Sequence, residues 1–179
     1  MRAPAGLNIR PQVGVNVAII RLSEVDLSFA DLVGRWRQDE NVANGLKRGG
    51  AFIKEKANTY WQDVLGVRGE IAFARFLGIQ FIPTKMSEVD VGGYEVRTVD
   101  KPLNRLIIRP RDVAKGSPFV LMVMVERELY RPAGWIGAKE GSEVGSWENP
   151  ETGKDAGFAW FVSQSHLKPF SRKLEWGDR

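Results

Sequence analysis

The 179-residue chain has no cysteine and a single histidine, His166. The first absence excludes a disulfide, a zinc–thiolate site, an iron–sulfur cluster and a cysteine nucleophile. The second excludes, within one chain, a zinc site of paired histidines and a nuclease built on several catalytic histidines. What remains for a metal is a hard cation held by carboxylates, which suits Mg2+ or Mn2+. No stretch approaches the ~20 apolar residues of a membrane span. Prolines and polar residues interrupt the N-terminal MRAPAGLNIRPQVGVNV where a signal peptide would need an apolar run. The expectation is a cytoplasmic protein with no membrane partner.

What is present suits one domain spanning residues 1–179. At 43% hydrophobic and 27% charged, the chain can bury one sizeable core under a polar surface. No internal repeat or linker divides it, and residues 1–15 read as a loose arm. The net charge of +4 favours phosphate-bearing partners.

From Glu24 to about Leu46 the pattern predicts one or two helices. Ser23 is a candidate N-cap, and Leu27, Phe29, Leu32, Val33 and Trp36 recur at near-helical spacing. After a break at Gly49-Gly50, a second helix is expected from about Lys54 to Leu77, stopped by Gly78. Strands are expected at Ile79–Ile82, Val89–Val91, Tyr94–Val99, Leu106–Arg109, Phe119–Val125, Gly134–Ile136 and Phe158–Val162, with Gly92-Gly93 as a hairpin turn. Phe119–Val125 is apolar without alternation, as a strand buried on both faces must be. The order of elements predicts an α/β or α+β domain with a central mixed sheet flanked by helices.

Glu70 lies in the apolar stripe of the second helix, with Val67, Phe73, Ala74 and Leu77 on its face. A carboxylate there needs compensation of its charge. It reads either as a functional acid or as an edge residue that pairs with Arg68 or Arg75. Gly69, mid-helix, implies close packing or access at that point. In the strand after Gly92-Gly93, Glu95 and Arg97 share a face, and the turn brings Asp90 back beside Glu95. Two converging carboxylates repel each other, and a divalent cation removes that penalty. The alternative is an exposed hairpin carrying an ordinary Glu–Arg charge pair.

Gly69-Glu70 on a helix, then Asp90, then Glu95-Val96-Arg97 on a strand resembles the PD-(D/E)XK nuclease superfamily over roughly residues 54–126. The segments Asp90–Thr98, Leu106–Pro110, Gly134–Ile136 and Phe161–Pro169 resemble bacteriophage-encoded members. The resemblance implies a restriction-endonuclease-like core and a metal-dependent nuclease hydrolysing DNA phosphodiester bonds. It implies Asp90, Glu95 and the Val96 carbonyl as ligands of Mg2+ or Mn2+, with Glu70 completing the shell directly or through water. Arg97 stands where lysine is usual. An arginine can clamp a phosphate but cannot act as a base at neutral pH. Lys101 is a nearby substitute. A catalytically weakened nucleic-acid-binding or virion-associated protein on the same fold is the second expectation, and an interaction module with a structural acidic hairpin the third.

Arg105, Arg109, Arg111 and Lys115, after the Leu-Ile-Ile strand, are candidates to track a phosphate backbone. Arg35, Arg37, Lys47 and Arg48 raise the same question further upstream. Trp135 and Trp160 are expected in the core, while Trp61 and His166 carry no assigned role. The partners implied are DNA and a second copy of the chain.

Overall fold

The computed structural model describes residues 18–43, 56–84, 89–149 and 157–170, and of 41–42 and 56–59 the backbone alone. The arm at 1–15, the Gly49-Gly50 break, Lys47 and Arg48 lie outside the described residues. The fold is mixed α+β. Its elements run β1 (Ile20–Arg21), α1 (Glu24–Ala43), α2 (Lys56–Leu77), β2 (Glu95–Val99), β3 (Leu106–Ile108), α3 (Pro110–Lys115), β4 (Pro118–Glu126), β5 (Leu129–Gly137), α4 (Ala138–Val144), β6 (Ser146–Glu148) and β7 (Ala159–Val162). Among the described residues no helix is long and apolar enough to cross a membrane.

The helix ends follow local chemistry. Ser23 and Asp26 form a reciprocal cap, in which the Ser23 backbone N–H donates to Asp26 Oδ2 at 2.7 Å and the Asp26 N–H to Ser23 Oγ at 3.3 Å. α2 stops at Gly78, which takes φ 69 while the N–H of Ile79 returns to the Ala74 carbonyl at 3.0 Å. Two short helices, α3 and α4, occupy segments for which no helix or strand is expected from the sequence. Pro110 fixes the first turn of α3, and Asp112 accepts the Arg109 backbone N–H at 2.9 Å. Ile79–Ile82 is not a strand; its ends are exposed and it finds no ladder partner among the described residues.

Four strands form a mixed sheet in the order β1-β5-β4-β2, with β2 parallel to β4 and the other neighbours antiparallel. A second sheet, β3-β7-β6, is antiparallel. β4 is the centre of the molecule. Val120 and Met122 point into a core shared with α1 and α2, while Phe119, Leu121 and Val123 point into a second core. That second core is completed by Leu106, Ile108, Ala138 and Val162. Alternation along one strand therefore feeds two cores, which explains why β4 is apolar without interruption from Phe119 to Val123. Trp135 packs against the first core and Trp160 against the second, both half-buried. Trp61 also packs on the first, with the Arg68 guanidinium 5.0 Å from its ring centre.

Gly69 is where α2 meets β2. A Cβ there would lie 2.8 Å from the Cβ of Thr98 and 2.9 Å from its Cγ2, so no rotamer of Thr98 relieves the clash. Gly66, one turn earlier, has open space around the same position. Alanine favours a helix over glycine by about 1 kcal/mol, so Gly66→Ala should stabilise by that order. Gly69→Ala should instead destabilise by about 1–3 kcal/mol through overpacking. Urea midpoints measure both, and equal shifts of the two variants would refute the close approach.

Candidate active site

The Gly92-Gly93 turn forms as expected, with φ 58 and 87 and reciprocal backbone hydrogen bonds between Val91 and Tyr94. It returns Asp90 to the free edge of β2, where Asp90 Oδ2 accepts the Val96 N–H at 2.8 Å. An edge-strand donor that would otherwise face outward is thus tied to a carboxylate, fixing Asp90 beside Glu95.

Strand alternation divides the remaining acids. Val96 belongs to the core shared with α2, and Thr98 packs on Gly69 of that helix. Glu95 and Arg97 therefore project to the opposite face, toward α3 and β4. Arg97 lies 5.0 Å over the Phe119 ring and within 3.7 Å of both Glu95 Oε2 and Asp112 Oδ1. Lys115 Nζ lies 3.4 Å from Glu95 Oε1. Its arrival there follows from register, because Glu95 pairs with Phe119, and Gly116 (φ 74) turns the chain from α3 into β4.

Glu70 approaches from the α2 side. Both its oxygens accept hydrogen bonds from Arg37, Nη1 to Oε1 at 2.7 Å and Nη2 to Oε2 at 2.8 Å. Its compensating cation is therefore neither Arg68, which pairs with Asp31, nor Arg75, which pairs with Asp26. Arg37 continues the buried Ala30–Val33 face of α1 by one more turn. That spacing was the available signal: an arginine extending an apolar stripe needs an acid to meet it.

Asp90 sits between the two sides. Burial pushes its carboxyl up from 3.8 to about 7, with the Glu70 charge adding to the rise and the Val96 N–H opposing it; Glu95 raises it further and Arg97 lowers it. Burial works against the charge of Arg37, yet the hydrogen bonds and charge of Glu70 hold its pKa above the ordinary arginine value. Four largely enclosed carboxylates, Glu70, Asp90, Glu95 and Asp112, thus share two enclosed guanidiniums, Arg37 and Arg97, with Lys115 at the rim. Crowding of negative charge at Asp90 follows directly.

Among the described residues no three acids or histidines converge as ligands for one ion. Asp90 and Glu95 are adjacent with Asp90 Oδ1 uncommitted to the backbone, whereas both Glu70 oxygens are taken. Two carboxylates suit Mg2+, which commonly keeps water and substrate oxygens for its remaining positions. Both Glu95 oxygens face cations, Oε1 Lys115 and Oε2 Arg97, so a divalent ion at the Asp90–Glu95 side would have to compete with them.

The basic residues after β3 divide as well. Arg105 forms a bidentate pair with Glu148 at 2.7 and 2.8 Å and lies 4.7 Å over the Phe161 ring. Arg109 and Arg111 are exposed on and before α3, on the side of the cluster where Lys115 sits. Asp112, absent from the sequence expectations, holds Arg97 and caps α3. Its signal was local: an acid two residues after a proline that opens a helix. Lys101 is exposed beyond the end of β2, and Lys115 takes the place beside Glu95. His166 is exposed.

Comparison with protein families, with curated proteins and with solved structures finds no match to this chain.

Proposed function

We propose that this protein is a divalent-metal-dependent nuclease hydrolysing DNA phosphodiester bonds, of bacteriophage origin and acting in the cytoplasm of the host. The observation that carries the reading is the carboxylate crowding at Asp90. A helix, a glycine turn and a strand deliver Glu70 and Glu95 close enough to Asp90 that both raise its pKa. Negative charge concentrated at a sheet edge is what a divalent cation relieves.

Asp90 and Glu95 would hold Mg2+ or Mn2+, helped, as the resemblance implies, by the Val96 carbonyl. The ion would lower the pKa of a bound water and stabilise charge on the phosphate under attack. Val96 keeps Asp90 oriented through its N–H. Arg97, held by Glu95, Asp112 and Phe119, is a fixed guanidinium that offers donors to a phosphate. Lys115 brings an ammonium, with three donors, to the face of Glu95 where lysine chemistry is otherwise missing. Glu70 acts from the α2 side, through its charge on Asp90 and its hold on Arg37. Arg109 and Arg111 would follow the substrate backbone, Arg111 from beside Asp112, while Arg105 is paired with Glu148.

The second reading is a nucleic-acid-binding or virion-associated protein with weakened catalysis. It draws on Arg37, which already neutralises Glu70, and on Arg97 in place of lysine. Plasmid, linear and single-stranded DNA incubated with Mg2+ or Mn2+, with and without EDTA, separates the two. Cleavage should require the metal and fall more than about 100-fold in Glu95→Ala, since metal activation is worth several kcal/mol. Cleavage unaffected by EDTA or by Glu95→Ala would remove the site; salt-sensitive binding without cleavage would favour the second reading.

A further inference from the structure

α1 presents two apolar faces. Leu27, Ala30 and Val33 face the core, yet Val25, Phe29, Leu32 and Trp36 stand 78%, 39%, 64% and 38% exposed. Val25 and Leu32 are the most open of the four, while Phe29 and Trp36 are partly covered, Phe29 by Phe81. Their spacing, four-three-four, is that of the seam positions of a left-handed helix pair, and it runs for about 17 Å along the helix. Ile79 and Ile82, 44% and 66% exposed, extend the patch beyond Phe81, whose ring meets Phe29 edge-on at 6.2 Å. Monomeric proteins rarely leave an apolar patch of several hundred Å2 contiguous and uncovered.

We propose that this face of α1 is a homodimer interface, in which the helix packs antiparallel against α1 of a second copy. Three observations select that occupant. First, a heptad-spaced seam is complementary to itself, so Phe29 of one copy meets Leu32 of the other and Val25 meets Trp36. Second, a groove of about 310 Å3 opens beside Phe29, between α1 and the segment after α2, lined by Asp26, Ile71, Ala74, Ile79 and Phe81. Antiparallel pairing sets Trp36 of the second copy at the level of Val25, beside this groove, where an indole can fill it. Third, the charges beside the seam match: exposed Arg35, whose Nε donates to Tyr60 at 3.3 Å, lies within one helical turn of the level of exposed Glu24 of the second copy. The six apolar side chains supply several hundred Å2 per copy. With their polar rim this approaches the roughly 800 Å2 per partner of a standard interface. The inference is independent of the nuclease reading, since none of these residues belongs to the carboxylate cluster.

Sedimentation equilibrium of the full chain tests it. A species of twice the chain mass is expected at tens of micromolar, dissociating on dilution. Leu32→Glu should give a monomer with an unchanged circular dichroism spectrum, because Leu32 contributes little to the core. The cysteine-free chain allows a test of orientation: a mixture of Glu24→Cys and Arg35→Cys proteins should form a mixed disulfide on oxidation. A full chain that stays monomeric overturns the proposal, whether the patch is then covered by the chain's own N-terminal residues or by a different molecule. A Leu32→Glu protein that still dimerises overturns the interface, and cross-linking of Arg35→Cys only to itself overturns the antiparallel arrangement.

Discussion

Arg37→Ala should destabilise the protein by about 3–5 kcal/mol, the range for removing one partner of a buried ion pair. The Arg37 and Glu70 side chains are 12% and 5% exposed, so solvent cannot replace the lost guanidinium. Glu70 would be left beside Asp90 with no counter-charge, and the repulsion between them would go uncompensated. Against the 5–15 kcal/mol that holds a typical domain together, such a loss is large. Replacing both partners by apolar residues gives the control. The double variant Arg37→Met, Glu70→Met removes the stranded charge along with its cation and should regain most of the stability. Urea denaturation of the three proteins reads the effect, with the double variant reporting even where the single one fails to fold. A single-variant shift below about 0.5 kcal/mol, the scale of exposed ion pairs, would show that the pair does not carry the helix packing.

The same pair marks the boundary of what sequence could reveal. α2 ends at Gly78 and the hairpin turns at Gly92-Gly93 because glycine in a left-handed conformation is a local requirement, legible at one position. β4 was legible because two-sided burial, complete from Phe119 to Val123, removes alternation there, although the apolar run continues to the half-buried Met124 and exposed Val125. The gathering of acids at Asp90 was also foreseeable from the turn. Their division was not. Which face of β2 meets α2 is decided by Val96 and by Thr98 settling on Gly69, and that places Glu95 on the other side. The partner of Glu70 lies 33 residues upstream on another helix. Such long-range pairing leaves only the weak trace of an arginine on a buried stripe. α3 escaped notice because six residues give too little periodicity, although Pro110 and Asp112 carry its start signal.

Asp90→Asn should produce two effects that a structural role alone would not link. The first is on stability. In EDTA the wild-type Asp90 carboxyl is pushed up to about 7 in the folded protein from 3.8. Between those values the folded chain holds a proton that the unfolded chain has released. Stability therefore falls as pH rises through that window, by a few kcal/mol in total, and levels off above it. This is the reverse in sign of a carboxylate stabilised by a salt bridge, whose contribution grows as pH rises toward about 4 and is constant above it. Asparagine keeps an oxygen to accept the Val96 N–H and carries no charge, so the variant should lack this slope and exceed the wild type at pH 8. Millimolar Mg2+ should restore much of the wild-type deficit at pH 8, because a bound cation relieves the repulsion that raised the pKa, and should do little for the variant. The second effect is on chemistry: metal-dependent cleavage should drop more than about 100-fold, in line with several kcal/mol of lost metal activation. Thermal unfolding from pH 4 to 8, with and without Mg2+, is read beside plasmid cleavage by the same preparations. An Asn variant that retains both the pH slope and the cleavage would remove Asp90 from the site. Loss of the slope and of the Mg2+ response, without any cleavage in the wild type, would keep Asp90 as a cation ligand on a protein that binds nucleic acid and does not cut it.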